Sequence, residues 1–294
     1  MNSGYNHLTQ AHENKWIFYA NGDSWQVWDK PDGCNMIHIV AIGAGGGGGG
    51  GYQRVSTANG GGGGGGASTG INTMMIPAYT IPDKLYILVG TGGAGGANLA
   101  AGSSPNPYYI TLIPFLNTFA NSFISQGITG GGGGAGSATG GAGGSAVVTQ
   151  ISTFSGYGRL VQIVGNQAGQ AGTTPSVNFD QTRLVGGGAG GAFAAASTNV
   201  AGRSVTSSYK QPSSVVYSQG AAISLKGKAG NGPNLISPQP EFFGGASGDA
   251  YLTSNGSNGG DGGIGCGGGG AGVGVLGANV GGRGGDGLVI ITCW

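Results

Sequence analysis

Unbroken runs of glycine are the feature that most limits how this chain can fold, and the longest occupy residues 45–51 and 60–66. Glycine has no side chain to pack, and placing it inside a helix or strand costs about 0.5–1 kcal/mol relative to alanine. A glycine run also weakens a β-sheet, because it offers no cross-strand side-chain contacts. An ordered glycine run therefore needs dense backbone hydrogen bonding to offset its cost.

The extended left-handed helix of the polyproline-II type meets this requirement. Its backbone groups point outward in three directions and make no internal hydrogen bonds, so several such helices can bond to one another side by side. Collagen is excluded, because the sequence lacks a Gly-X-Y period with abundant proline. We therefore predict a bundle of polyproline-II glycine helices, with Gly48, Gly63, Gly132 and Gly268 among its scaffold residues.

Short apolar runs adjoin the glycine segments and predict β-strands. Met36–Ile42 leads directly into the first glycine run, and Leu288–Cys293 follows the last one. The predicted fold class is mostly β, with short strands bracketing a bundle of polyproline-II-type glycine helices and almost no α-helix. Further strands are predicted at residues 85–89, 146–150, 160–164 and 215–217.

Composition predicts two parts, an N-terminal segment at residues 1–32 and a glycine-rich body at residues 33–294. The N-terminal segment holds three of the four tryptophans and only two glycines. Aromatic side chains are favoured at interfaces, so we interpret this segment as an attachment or oligomerisation element. For Trp25 and Trp28, a buried structural pair or a subunit contact is predicted in preference to a sugar platform. The predicted assembly contacts are Trp16, Phe18, Tyr19, Trp25 and Trp28.

Three inserts, near residues 98–128, 192–217 and 233–251, interrupt the glycine pattern and are predicted to be surface loops. The first holds the one helix candidate, at residues 114–125, where phenylalanines recur at helical spacing. Aromatic rings in the inserts predict receptor contacts, and the alternative is that they close the ends of the glycine bundle as apolar caps. These rings are Tyr108, Tyr109, Phe242, Phe243 and Tyr251.

Charge and motif content narrow the classes of function. Only 7% of residues are charged and the net charge is +1, so neither a nucleic-acid partner nor an anionic membrane is expected. No apolar stretch approaches the roughly 20 residues of a membrane span, and no signal peptide is expected. The chain has no HExxH or paired-carboxylate pattern, so we expect no catalytic residue, no cofactor and no enzyme. His38 lies in an apolar strand and is predicted to be a core histidine.

Two motif matches fail on their context. Residues 43–48 match GxGxxG, but more glycine follows where a dinucleotide site needs a helix and an acidic residue. Residues 281–289 match a calcium-binding nonapeptide, but such sites are built from tandem copies. We predict no metal site, and calcium at Asp261 or Asp286 stays open as the alternative to a solvated or turn aspartate.

The cysteines Cys34, Cys266 and Cys293 are odd in number and widely spaced. Without a CxxC spacing, they argue against a disulfide framework and against a zinc site. We predict three reduced cysteines that pack as small hydrophobic residues. This usage favours synthesis and assembly in a cytoplasm.

Residues 25–33 read WQVWDKPDG, and Met36–Ile42 then leads into GAGG. This pattern resembles the glycine-rich domains of tailed-phage virion proteins, in which a W-x-x-P-x-G segment precedes an apolar strand and glycine runs. A later V-G-x-G-G-x-G-G stretch at residues 89–96 and a C-terminal strand that ends near Trp294 complete the similarity.

The resemblance implies a non-enzymatic virion surface protein of the fibre or adhesin type, whose rigid glycine scaffold presents loops to a bacterial receptor. It implies other virion proteins as partners, a homo-oligomer with a trimer favoured, and a place in the virion after synthesis in the host cytoplasm. The alternative is a purely structural, self-assembling protein, such as a capsid decoration, a head fibre or a filament subunit.

Overall fold

Two antiparallel sheets and a set of extended glycine segments make up the part of the protein that the computed structural model describes. That part comprises residues 14–22, 24–52, 62–67, 69, 71–112, 123–126, 129–130, 146–147, 205–207, 215–218, 245, 256–274 and 279–294. The strands are β1 Lys15–Tyr19, β2 Gln26–Asp29, β3 Met36–Ile42, β4 Ile71–Pro77, β5 Lys84–Leu88, β6 Tyr109–Thr111, β7 Phe123–Gln126, β8 Thr129–Gly130, β9 Ala146–Val147, β10 Val205–Ser207, β11 Val215–Ser218 and β12 Leu288–Cys293. A 3₁₀ turn, Ala78–Thr80, follows β4.

The first sheet has the strand order β1-β12-β3-β4, and the second has the order β2-β5-β6-β7. In the first sheet, β12 lies between β1 and β3, with Leu288 opposite Ile42. In the second sheet, β2 pairs with β5, and the side chain of Lys84 also forms an ion pair with Asp29. The hydrogen bond that Lys84 donates to Asp29 raises the pKa of Lys84 above its ordinary value. The pairs β8–β9 and β10–β11 form two further small sheets.

The inward faces of the two large sheets form one hydrophobic core, so the strands make a β-sandwich. Alternate residues of β3, including Ile37 and Ile39, are buried, as the period of a strand requires. The largest fully buried side chains are Trp28, Tyr108, Ile37, Ile39, Ile42, Ile76, Leu85, Ile87 and Ile110.

The predicted strands Met36–Ile42 and Leu288–Cys293 are confirmed with their predicted bounds. The mostly-β class with almost no helix is also confirmed. The prediction at residues 160–164 lies outside the described residues. Strands predicted at residues 85–89, 146–150 and 215–217 are found as Lys84–Leu88, Ala146–Val147 and Val215–Ser218.

The helix predicted at residues 114–125 is wrong at its C-terminal end. There the chain forms β7, Phe123–Gln126, which pairs with β6 at the edge of the second sheet. An isolated helix of this length is marginal, because its nucleation is costly, whereas an open strand edge offers hydrogen bonds at once. The rest of the candidate lies outside the described residues.

Part of the predicted N-terminal segment belongs to the sandwich. Within residues 14–32, β1 joins the first sheet and β2 joins the second. The structure therefore shows no boundary between this stretch and the body. The attachment role of residues 1–32 stays a prediction, and residues 1–13 lie outside the described residues.

The prediction of three reduced cysteines is wrong for two of them. Cys34 and Cys293 form a disulfide with a Cα–Cα distance of 5.8 Å. The antiparallel pairing of β3 with β12 brings them together, because it sets Cys293 opposite Ile37. Cys266 is fully buried and packs with Ile42, as predicted for a small hydrophobic residue.

Candidate functional site: the glycine lattice and its tip

Seven extended segments, which we call the glycine lattice, adjoin the sandwich. Segment I follows β3, segment III follows β5, and segments II, IV and VII lead into β4, β6 and β12. Segment VI bonds to segments I, II, V and VII, segment V bonds to segments VI and VII, and V and VI connect to each other near the sandwich. In chain order, segments I to VII are residues 43–51, 62–67, 90–97, 100–107, 256–263, 266–274 and 279–287.

Hydrogen bonds around segment I repeat every three residues. All seven N–H groups of residues 45–51 donate to neighbouring backbone carbonyls, at N···O distances of 2.8–3.1 Å. Every third residue from Gly45 donates to segment VII, every third from Gly46 to segment II, and every third from Gly47 to segment IV. A period of three is that of a polyproline-II helix, so the predicted geometry of this run is confirmed.

Two further segments donate to the carbonyls of segment I. Segment III donates to Gly45 and Gly48, and segment VI donates to Gly46 and Gly49. Segment I is therefore surrounded by five neighbours within the described residues. Segments III and VI run parallel to it and segments II, IV and VII run antiparallel, as the order of their bonded residues shows.

Close approach, rather than backbone freedom, explains why these positions are glycine. A Cβ at Gly48, Gly63 or Gly268 would lie less than 3.0 Å from a backbone carbonyl of a neighbouring segment, closer than real Cβ atoms come. In segments I to VII, no described glycine has a positive φ, and Gly265 between two of them is the nearest that does. The predicted scaffold roles of these three glycines fit this packing, and Gly132 lies outside the described residues.

At the lattice surface, side chains replace missing neighbours. The carboxylate of Asp261 accepts from the backbone N–H of Arg283 at 2.8 Å, and the amide oxygen of Asn258 accepts from Val280 at 2.8 Å. Asp286 accepts from a backbone N–H of segment III at 2.8 Å. Both aspartates proposed for calcium thus bond to the lattice, and no three metal-ligating side chains cluster among the described residues.

The lattice ends in a tip that lies opposite the sandwich. Segments I and VI end there, and segment VII begins there. A turn at residues 97–100 joins segment III to segment IV at the same end. The other pole, which we call the base, carries the disulfide and Trp294. Connections at the tip are therefore held by a hydrogen-bonded scaffold.

Leu99, in the tip turn, has an unusual backbone conformation. Its φ is 60°, and it is the one non-glycine residue with a positive φ in the described ranges. Its side chain is 50% exposed, and its N–H donates to the carbonyl of Gly51 at 3.2 Å. A leucine in the left-handed region is strained, and such strain is found preferentially at functional sites. The sequence pattern carried no signal for this residue.

Two of the predicted receptor rings are placed by the structure. Tyr108 is fully buried in the sandwich core, so its prediction as an exposed receptor contact is wrong. Tyr108 directly precedes β6 and is buried on the same side as Ile110, because side chains alternate along an extended chain. Tyr109 is half-buried and lies 6.4 Å from the ring of Trp25. Phe242, Phe243 and Tyr251 lie outside the described residues.

The predicted assembly aromatics divide into core and surface. Trp28 and Phe18 are buried in the sandwich, and Trp16 packs edge-on against Trp28 at 5.7 Å. Trp28 therefore supports the structural alternative given for it, Trp16 and Phe18 pack in the sandwich, and Tyr19 is 57% exposed. His38, predicted in the core, is instead half-buried on the outer face of the first sheet, because it alternates with the inward residues of β3.

Two of the predicted inserts contribute to the body. Within the first, residues 100–107 form segment IV, in which Ser103 and Ala100 accept hydrogen bonds from segment I. Within the third, Gly245 donates to Gly267 of segment VI. Non-glycine residues enter such a helix wherever the side chain points away from a neighbour, so composition alone misplaced the first boundary.

Comparison with protein families gives a match to the glycine-rich domain over residues 20–294. The chain belongs to this family. A comparison with curated proteins found no match. The glycine-rich domain thus spans both the sandwich and the lattice, as the resemblance predicted, while its phage origin stays a prediction. No helix in the described ranges has the length and hydropathy for a membrane crossing.

Proposed function

We propose that this glycine-rich domain is a non-enzymatic surface protein of a tailed-phage virion, of the fibre or adhesin type. In this proposal the lattice holds the tip towards a receptor on a bacterial cell. The observation that carries it is Leu99, a strained leucine that exposes half of its side chain at the tip. Strain persists where the surrounding structure imposes it, and it is often part of a binding function.

The lattice supports such a role because it preorganises the tip. All N–H groups of residues 45–51 are bonded to neighbouring segments, which restricts motion along the whole central helix. A preorganised surface loses less conformational entropy on binding than a flexible one. Val280, 37% exposed where segment VII begins, adds a second apolar side chain at this end.

Cell binding by a Leu99→Gly variant tests this proposal. Glycine removes the side chain and also relieves the positive φ, which costs roughly 1–2 kcal/mol for other residues. We expect the labelled variant to bind bacterial cells at least about tenfold more weakly than wild type, with an unchanged or higher melting temperature. Tyr79→Ala, at an 83% exposed tyrosine of the base, is the matched control and should bind normally.

The assay uses the purified, labelled protein and a broad panel of bacterial strains, read by flow cytometry. Binding of Leu99→Gly equal to wild type would contradict a receptor contact at this residue. Binding of wild type to no strain in the panel would contradict the adhesin reading. Because stability and attachment are measured on the same variant, a folding defect is separated from loss of a contact.

A second function, purely structural self-assembly, is favoured by the outer face of the first sheet. There Ile17 and Met75 are 40% and 51% exposed, and Trp294 nearby is 50% exposed. Apolar residues clustered on a surface favour contact with another protein. In this reading the protein is a capsid decoration, a head fibre or a filament subunit, and it forms a homo-oligomer, with a trimer favoured.

Native mass spectrometry of wild type and Ile17→Asp distinguishes the structural reading. A homo-oligomer that the substitution dissociates would support it, and a monomeric wild-type protein would contradict it. Residues 1–13 are proposed to contact other virion proteins. Deletion of residues 1–13 leaves the sequence of β1 complete, and an unchanged melting temperature would separate loss of incorporation into the particle from a folding defect.

A further inference from the structure

A groove between β1 and the lattice has the features of a ligand site, and we call it the waist groove. It lies where β1 ends at Tyr19 and Ala20, beside segments V and VII, and its volume is about 340 Å³. Pockets that hold small ligands measure roughly 300–1,000 Å³. The waist groove lies at the sandwich end of the lattice, whereas Leu99 lies at the tip, so the two sites are separate.

Bare backbone forms much of the lining. Gly262 and Gly263 of segment V and Gly285 of segment VII line the groove, and so does Gly287. These residues have no side chains, so a ligand can approach the peptide groups directly. Hydrogen bonds from Gly262 to Arg283 and from Gly285 to Cys266 hold this backbone in place. The glycine part of the lining is thus hydrogen-bonded backbone without charged side chains.

Arg283 and Asp286 supply the charged side chains of the groove, and they neutralise each other. They form an ion pair, in which Nη1 of Arg283 lies 3.3 Å from Oδ2 of Asp286. Their side chains are 50% and 35% exposed. The Asp286 carboxylate accepts from both terminal nitrogens of Arg283 and from a backbone N–H of segment III, and its charge repels an anionic ligand. A neutral ligand can bond to both groups with the pair intact.

Tyr19 adds an aromatic ring to this polar lining. Tyr19 is 57% exposed, whereas Tyr108 is fully buried in the sandwich core. An exposed ring offers an apolar face and a polar tip to a ligand that also has both characters. Ile264 is a further apolar group of the lining. The groove therefore combines one aromatic face with a hydrogen-bonding ion pair and with glycine backbone that is half-buried at Gly262.

We propose that the waist groove binds a neutral saccharide unit. The apolar C–H face of a pyranose ring packs on Tyr19, and its hydroxyl groups bond to the Arg283–Asp286 pair and to the glycine backbone. Simple apolar ligands are disfavoured by the polar lining, and anions by the ion pair. The inference goes beyond the tip contact of the proposed function, since it concerns a different surface and a defined ligand class.

Saturation-transfer NMR with the full-length protein tests the proposal, using maltotetraose, chitotetraose, galactose and mannose as probes. We expect at least one probe to bind, and Tyr19→Ala to weaken that binding about tenfold or more. Tyr19→Phe keeps the ring and should bind within about twofold of wild type. Arg283→Met should bind several-fold more weakly. Tyr79→Ala, at the exposed tyrosine of the base, is the matched control and should bind as wild type.

Three results would overturn the inference. The first is no saturation transfer to any probe at about 10 mM, a concentration that detects even weak binding. The second is equal binding by wild type and Tyr19→Ala. The third is preferential binding of inorganic phosphate or sulfate that Arg283→Met abolishes, since it would make the groove an anion site. Loss of cell binding by Leu99→Gly bears on the tip alone, so the two proposals fail independently.

Discussion

Buried side chains stabilise the sandwich, whereas backbone hydrogen bonds stabilise the glycine lattice. In the sandwich, large side chains such as Trp28, Ile39 and Ile110 are fully buried, and each contributes about 1.5–3 kcal/mol or more through burial. In the lattice, side chains are mostly absent, and neighbouring segments are joined by backbone hydrogen bonds. Each such bond contributes about 0.5–1.5 kcal/mol, so the lattice depends on nearly complete pairing.

This difference predicts that the sandwich and the lattice respond in opposite ways to a substitution that changes side-chain volume. Removing carbon atoms should cost most in the sandwich, where a cavity is left, and adding them should cost most in the lattice, where backbones touch. Packing of side chains gives way to packing of backbone between Ile42 of β3 and Gly45 of segment I. Substitutions on either side of this boundary therefore test the comparison directly.

Gly48→Val should have the largest effect. Its Cβ would meet the carbonyl of Gly269, and a backbone neighbour cannot move aside cheaply. We expect a loss of more than about 3 kcal/mol, or failure to fold. Ala271→Gly, also within the lattice, is the control and should cost no more than about 1 kcal/mol. A Gly48→Val protein that melts within a few degrees of wild type by circular dichroism would refute the lattice.

Tyr108→Ala should have the next largest effect, because it empties a fully buried site of the sandwich. We expect a loss of about 3–5 kcal/mol in the free energy of unfolding, measured with urea. Tyr79→Ala removes an 83% exposed ring and should change stability by less than about 0.5 kcal/mol. Similar losses for the two tyrosines would mean that Tyr108 is not in the core.

Cys34→Ser should destabilise the sandwich by about 2–4 kcal/mol, because the disulfide with Cys293 closes a loop with a sequence separation of 259. Reduction of wild type with dithiothreitol should lower its melting temperature to that of the variant, and should leave the variant unchanged. Mass spectrometry of the denatured, unreduced protein after alkylation checks the bond. Modification of all three cysteines would show that it is absent.

Asp261→Ala should have the smallest effect, because it removes one exposed acceptor at the lattice surface. The N–H of Arg283 then bonds to water, and we expect a loss of about 0.5–1.5 kcal/mol. Asp261→Asn retains the accepting oxygen and should keep nearly full stability by urea unfolding. If the asparagine variant falls as far as the alanine variant, the carboxylate charge rather than the hydrogen bond is what matters.

The features that could be predicted from the sequence are those for which local chemistry allows one structure. Met36–Ile42 and Leu288–Cys293 are dense in β-branched residues, so their type and bounds followed from local preference. The polyproline-II geometry of residues 45–51 followed because bare backbone must bond to other backbone. The mostly-β class therefore needed no knowledge of the tertiary structure.

Other features depend on partners that the local sequence does not specify. Tyr108 was assigned outward because its context reads as a loop, whereas pairing of β6 with β5 turns it inward. Which glycine segments adjoin one another is not encoded in the glycines, since they have no side chains to match, and the flanking strands determine it. The positive φ of Leu99 depends on the tight turn between segments III and IV, which the residues near Leu99 do not indicate.

The place of β12 in the middle of the first sheet bears on how the protein is made. β12 separates β1 from β3, and segment VII, which precedes it, donates to segment III and accepts from segment I. Neither the sheet nor the central helix can be completed until segment VII and β12 have left the ribosome. Contacts between residues so distant in sequence form slowly. Until β12 is available the glycine runs stay solvated, and we expect the sandwich and the lattice to fold together once β12 has been synthesised.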